Sequence, residues 1–118
     1  MCKSNYHKNL RILFQNDFGY VAVCSCCNEV QFRIGTVVSF MPEDAFLKLF
    51  YSIEKINADL DSKFTNLPDG EKLVLRTPVR NFMLALSKTE FQKTLELFDT
   101  AAFKIKLSHS LKKVELMN

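Results

Sequence analysis

The spacing of the apolar residues changes at Pro42, and this change restricts the chain to folds that combine strands with helices. Before Pro42, apolar and polar side chains alternate, as in Val30, Phe32 and Ile34, which is the spacing of a strand with one buried face. After Pro42 the apolar residues recur every three or four positions, which is typical of an amphipathic helix. Pro42 itself suits the start of a helix, because its ring fixes the backbone near the helical φ.

Four strands are predicted before Pro42, at 10–15, 20–24, 30–34 and 36–41. The first two are separated by Asn16, Asp17 and Gly19, which are residue types that favour tight turns. Because the connections between the four strands are short, we expect them to form an antiparallel meander.

The first helix is predicted over 43–61, where Phe46, Phe50 and Ile53 belong to one apolar stripe. The same plan then repeats along the chain. Alternating apolar residues predict strands at 71–77 and 82–86, and a second helical pattern follows them.

The second helix is predicted to begin after Ser87. Ser87 and Glu90 have the spacing of a capping box, in which each side chain accepts a hydrogen bond from a backbone N–H at the start of the helix. The apolar stripe runs to Ile105, and residues 106–118 fit both helical and strand spacing. We favour a continuation of the helix there.

These elements predict an α+β fold, with an antiparallel sheet of five or six strands and two helices on one face, in the order β-β-β-β-α-β-β-α. At 118 residues the chain has the length of one domain, and we expect residues 1–118 to form it. The segments at about 30–61 and 71–105 share a strand–strand–helix plan, which suggests an internal ββα repeat. The face formed by Phe82, Leu84 and Leu86 is the expected partner of the helices.

The charge and hydropathy of the chain argue against nucleic acids and membranes as binding partners. The formal net charge of +3 is too mild to predict a nucleic-acid-binding protein, although basic residues gather near both ends, around Arg11 and within 104–113. The chain contains no apolar stretch of the roughly 20 residues that a membrane span requires. We expect a cytoplasmic protein that binds neither nucleic acid nor membrane. The sequence leaves open whether the protein forms a homodimer.

The four cysteines are the residues that most strongly indicate a functional site. Cys24 and Cys27 form a C-x-x-C pair at a predicted hairpin tip, and zinc knuckles use this spacing because both sulfurs then reach one ion at about 2.3 Å. Asn28 follows the pair, and Asn tolerates the left-handed backbone that such a turn needs. Structural zinc takes four ligands, and Cys2 and His7 precede the strand that is expected to pair with the cysteine strand.

The predicted metal site therefore consists of Cys2, His7, Cys24 and Cys27, with zinc as the only predicted cofactor. Two other interpretations remain. The cysteines are either small packed side chains, since cysteine is often buried, or a thiol redox pair. A thioredoxin-type pair stands at the start of a helix, which lowers the thiol pKa, whereas strand residues follow Cys27 here.

The segment at 13–46 resembles a family of small bacterial proteins that have no assigned activity. The matching features are Cys2, Asn16 with Gly19-Tyr20, Cys24 with Cys27, Val30-Gln31-Phe32, Gly35-Thr36, and Asp44 with Phe46. The resemblance implies a small α+β domain and gives weight to the three matching cysteines. Cys26 departs from the pattern and is left out of the predicted site.

No complete catalytic motif is present in the sequence. The three glycines at 19, 35 and 70 are too scattered for a phosphate-binding loop, and His7 and His109 do not have a metalloprotease spacing. The sequence therefore predicts no catalytic residues and favours a small non-enzymatic binding or regulatory domain. The alternative is a thiol redox protein or a zinc-knuckle domain that uses Cys24 and Cys27.

Overall fold

The computed structural model describes residues 9–77 and 80–117 of the chain. It confirms the α+β class, the meander and the position of both helices. Within this described part, seven strands form two antiparallel sheets, and two long helices accompany them. No helix of the described part has the combination of length and apolar character that crossing a membrane would require.

The first sheet is the predicted meander. Its strands are β1 (Leu10–Asn16), β2 (Gly19–Cys24), β3 (Glu29–Ile34) and β4 (Val37–Pro42), paired in that order. The register of β1 against β2 shifts between Ile12, which lies opposite Ala22, and Phe14, which lies opposite Val21. Leu13 is thus the extra residue of a β-bulge, and a bulge leaves a residue outside the regular ladder of hydrogen bonds.

The β1–β2 turn depends on Asn16 and Gly19. The Oδ1 atom of Asn16 accepts hydrogen bonds from the backbone N–H groups of Phe18 (2.9 Å) and Gly19 (3.1 Å), and this local bonding is what makes Asn a turn residue. A Cβ atom at Gly19 would lie 1.7 Å from the carbonyl oxygen of Arg33 on β3. Only glycine lets β2 approach β3 at this point.

The second half of the chain differs from the prediction in two respects. After α1 (Glu43–Ala58) and a short 3-10 helix (Leu60–Lys63) come β5 (Phe64–Leu67), β6 (Gly70–Arg76), β7 (Met83–Leu86) and α2 (Lys88–Met117). Strands β5, β6 and β7 form a separate sheet, so the strands are divided between two sheets instead of forming one. The predicted order lacked β5, which is only four residues long.

The start and the length of α2 agree with the prediction. The N–H of Ser87 donates to Glu90 Oε1 (2.8 Å), and the N–H of Glu90 donates to Ser87 Oγ (3.1 Å), which is the reciprocal pattern of a capping box. The helix continues to Met117, so the segment after Ile105 is helical.

The core lies between the helices and the inner face of the first sheet. Phe32 on β3, Phe46 on α1 and Phe98 on α2 pack together, with ring centroids 4.9 to 6.2 Å apart. Helix α2 contacts β1, β2 and α1, and it also contacts β6 and β7, so it joins the two sheets. In the second sheet Leu86 is buried, but Phe82 precedes β7 and is 53% exposed. The expected packing of Phe82 against the helices is therefore wrong.

Candidate metal centre at the cysteine turn

The turn that connects β2 to β3 carries three cysteines in a defined backbone geometry. Cys24 is the last residue of β2, and its carbonyl oxygen accepts a hydrogen bond from the N–H of Asn28 at 2.9 Å. Asn28 has a φ of 56°, which is the left-handed conformation expected from the sequence. The N–H of Ser25 donates to the carbonyl oxygen of Asn9 at 3.1 Å. The turn is thereby closed on itself and tied to the residue that precedes β1.

The three sulfurs lie close enough to share one metal ion. The Sγ atoms of Cys24, Cys26 and Cys27 all lie within 4.8 Å of one another, and those of Cys24 and Cys26 are 3.1 Å apart. Two sulfurs bound tetrahedrally to zinc at about 2.3 Å are separated by about 3.8 Å. This separation lies between the 3.1 Å of the Cys24–Cys26 pair and the 4.8 Å upper bound for the three sulfurs.

The cysteines differ in burial. Cys24 is buried, Cys27 is partly buried and Cys26 is exposed. The cluster thus has one side chain packed in the interior at the end of β2 and one that faces solvent.

The oxidation state of Cys26 decides whether all three sulfurs are available to a metal ion. Cys26 is disulfide-bonded in this structure, and only thiolates bind zinc. A metal ion held by all three sulfurs would therefore require the reduced form of the turn.

The structure places Cys24 and Cys27 of the predicted site together and brings a third cysteine close to them. Cys24 and Cys27 share the turn as expected, whereas Cys2 and His7 lie outside the described residues. Cys26, which the family pattern excluded, has its sulfur in the cluster. A C-x-C-C sequence confined to one tight turn was the available signal, because so short a turn cannot separate its side chains widely.

His109, the other histidine, is not one of the clustered residues. It is on α2, where its Nε2 atom lies 2.6 Å from Oε2 of Glu43, the first residue of α1. This contact joins the two helices.

The fold and the turn define a small α+β domain that carries a cysteine cluster at a hairpin tip. The chain belongs to a family of unknown function, DUF6686, whose family model matches residues 6–117. No curated protein and no solved structure shows significant similarity to the chain.

Proposed function

We propose that this chain is a non-enzymatic binding domain whose cysteine turn holds a structural zinc ion in the reduced state. The observation that carries the proposal is the mutual proximity of the sulfurs of Cys24, Cys26 and Cys27. Three thiolates from one turn form most of a four-ligand zinc site.

The fourth ligand is proposed to come from Cys2 or His7. Leu10 pairs with Cys24 in the register of β1 and β2, and Asn9 is hydrogen-bonded to Ser25 in the turn. Asn9 therefore lies beside the cysteine turn. His7 stands two residues earlier, and two residues of extended chain span about 7 Å.

A site of four protein ligands has a structural role. Catalytic zinc keeps one position for water or substrate, whereas four protein ligands close the coordination sphere. Because metal binding free energy adds to folding free energy when the unfolded chain has no preformed site, zinc would stabilise the β2–β3 turn and the segment before β1.

Metal analysis tests the proposal. The full chain is reduced, supplied with one equivalent of zinc and passed through a desalting column. We expect one zinc per chain, and a chelator should lower the melting temperature. Cys24→Ser, Cys26→Ser and Cys27→Ser should each lose zinc, whereas Ser25→Ala, in the same turn, should retain it. No stoichiometric zinc and a melting temperature unaffected by the chelator would overturn the proposal.

Thiol redox chemistry is a second candidate, supported by a different observation. The Sγ atom of Cys24 lies 3.1 Å from that of disulfide-bonded Cys26. Thiol–disulfide exchange begins with such an approach of a thiolate to a disulfide sulfur. Equilibration in buffers of graded reduction potential tests it. A redox function predicts a cysteine couple that titrates within the range of thiol oxidoreductases, while a structural disulfide stays oxidised to far more reducing potentials.

A further inference from the structure

A second candidate site lies beside the cysteine turn, in a cleft between the first sheet and helix α2. The cleft encloses about 270 Å³ and is bounded by β1, by the β2–β3 turn, by the first residue of α1 and by the middle of α2. It uses none of the three clustered cysteines as lining residues. It is therefore a separate site that shares one wall with the turn.

Positive charge dominates this cleft. Arg11, Lys104 and Lys112 line it, and Glu43 is its one carboxylate among the described residues. Three fixed positive charges against one negative charge leave a net charge of +2. The basic residues come from opposite ends of the chain, and the packing of α2 against β1 is what brings them together.

The walls strengthen the effect of these charges. The cleft is floored by Leu13, Val23 and Ile105, which are all buried core residues. A concave surface with apolar walls and charges of one sign concentrates the electric field and attracts oppositely charged ligands. The same groups spread over a convex surface would be screened by salt.

Polar groups in the cleft make internal hydrogen bonds and offer further hydrogen-bond donors to a ligand. Lys104 Nζ donates one hydrogen bond to the carbonyl oxygen of Leu13 at 2.6 Å, and an ammonium group has two further hydrogens to donate. Glu43 is engaged with His109 at 2.6 Å, which fixes the carboxylate to one side. The hydroxyl group of Ser25 also lines the cleft.

We propose that this cleft binds the phosphate group of a small phosphorylated molecule. A phosphate monoester carries a charge close to −2 at neutral pH and offers three strong acceptor oxygens, which match the net charge and the donors of the cleft. A carboxylate carries half that charge. The cleft volume of about 270 Å³ lies just below the range of roughly 300 to 1,000 Å³ that is typical of ligand pockets, so the cleft suits a phosphate with a short organic group.

The test uses glycerol 3-phosphate as the probe and the full isotope-labelled chain. Amide chemical shifts are followed by NMR at constant ionic strength, with glycerol as the uncharged control ligand. We expect saturable shifts at Ser25 and Ser108, with a dissociation constant below about 1 mM. Glycerol should cause none.

Matched variants locate the binding. Arg11→Gln combined with Lys112→Gln removes two cleft charges and should weaken binding at least tenfold. Lys48→Gln combined with Lys55→Gln removes two exposed charges from α1 outside the cleft and should leave the affinity unchanged. A well-dispersed spectrum of each variant confirms that it is folded.

Three results would overturn the proposal. They are the absence of saturable shifts, equal weakening in both double variants, and binding of a 20-nucleotide thymidine strand, steeply weakened by salt, without any response to glycerol 3-phosphate. The last result would assign the basic surface to a polynucleotide. Zinc content is measured on the same samples, so a failure of the phosphate site is distinguishable from a failure of the metal site.

Discussion

The ammonium group of Lys104 donates a hydrogen bond to the carbonyl oxygen of Leu13, at 2.6 Å, across 91 positions of sequence. Leu13 is the extra residue of the bulge in β1, and a bulge takes a residue out of the regular pairing of the ladder. A side chain from α2 thus supplies a partner to a backbone group at the strand irregularity. The bulge and the helix are therefore one structural unit.

Removing this hydrogen bond should destabilise the protein. Lys104→Met keeps most of the aliphatic chain and deletes the donor, and we expect a loss of about 1–2 kcal/mol in the free energy of unfolding, because the carbonyl oxygen loses its partner. Urea unfolding measures this loss. Lys48→Met, at an exposed position of α1, is the control, and an equal loss in both variants would contradict the role assigned to the bulge.

Gly19 should tolerate no side chain. Gly19→Ala places a Cβ atom 1.7 Å from the carbonyl oxygen of Arg33, and backbone atoms of two paired strands cannot move apart without breaking the ladder. We expect a destabilisation of roughly 3 kcal/mol or more. Gly35→Ala has a positive φ of 59° but meets Phe18 only at 3.5 Å, so it should cost about 1–2 kcal/mol. Thermal and urea unfolding compare the two variants, and a smaller effect at Gly19 would be inconsistent with this packing.

The aromatic contact at the centre of the core should dominate stability. Phe98→Ala removes a ring that is 1% exposed and packs against Phe32 and Phe46, so we expect a loss of about 3–5 kcal/mol. Phe103, on the same helix, is 65% exposed. Phe103→Ala should therefore change stability by no more than about 0.5 kcal/mol. Comparable losses of stability in Phe98→Ala and Phe103→Ala would contradict the assignment of Phe98 to the centre of the core.

Stability should fall in acid partly through Asp17. Lys93 Nζ donates a hydrogen bond to Asp17 Oδ2 at 2.6 Å, and this hydrogen bond lowers the pKa of Asp17 below its usual value of 3.8. A lowered folded-state pKa means that the contribution is present above the unfolded pKa and is lost as pH falls through the folded value. The effect is small, because Asp17 is exposed and screened by salt.

Urea unfolding between pH 2 and pH 6 measures the contribution of Asp17. The unfolding free energies of the parent and of Asp17→Asn should differ above pH 4, in favour of the parent, and should converge at the acid end. Added salt should reduce the difference. If the difference in unfolding free energy between the two proteins increased toward low pH, the stabilising role assigned to ionised Asp17 would be contradicted. Asp99→Asn, exposed on α2, is the control.

Local patterns predicted most elements of the fold because their causes are local. The stripe of Phe46, Phe50 and Ile53 predicted α1, and the pair of Ser87 and Glu90 predicted the start of α2; both were confirmed. The division of the strands into two sheets was not predicted. Alternation shows which side of a strand is buried, but lateral pairing depends on long-range contacts that leave no local pattern.

The candidate site was predictable to a similar degree. The spacing of Cys24 and Cys27 indicated a turn with two converging sulfurs, and the φ of Asn28 agrees with that geometry. Cys26 was missed because its participation depends on side-chain directions within one turn. The sequence showed the two groups of basic residues but not the cleft that they line. Arg11 and Lys104 lie in one cleft only because α2 packs on β1.

Helix α2 follows the strands of both sheets in the chain, and this order has a consequence during synthesis. Both sheets leave the ribosome before the helix that joins them, and Phe91, Leu97 and Phe98 are among the last core side chains to emerge. Until then the inner faces of the strands lack their cover, and exposed apolar strands are prone to aggregate. A chain that stopped before position 91 would lack these side chains, and the inner faces of its strands would stay uncovered.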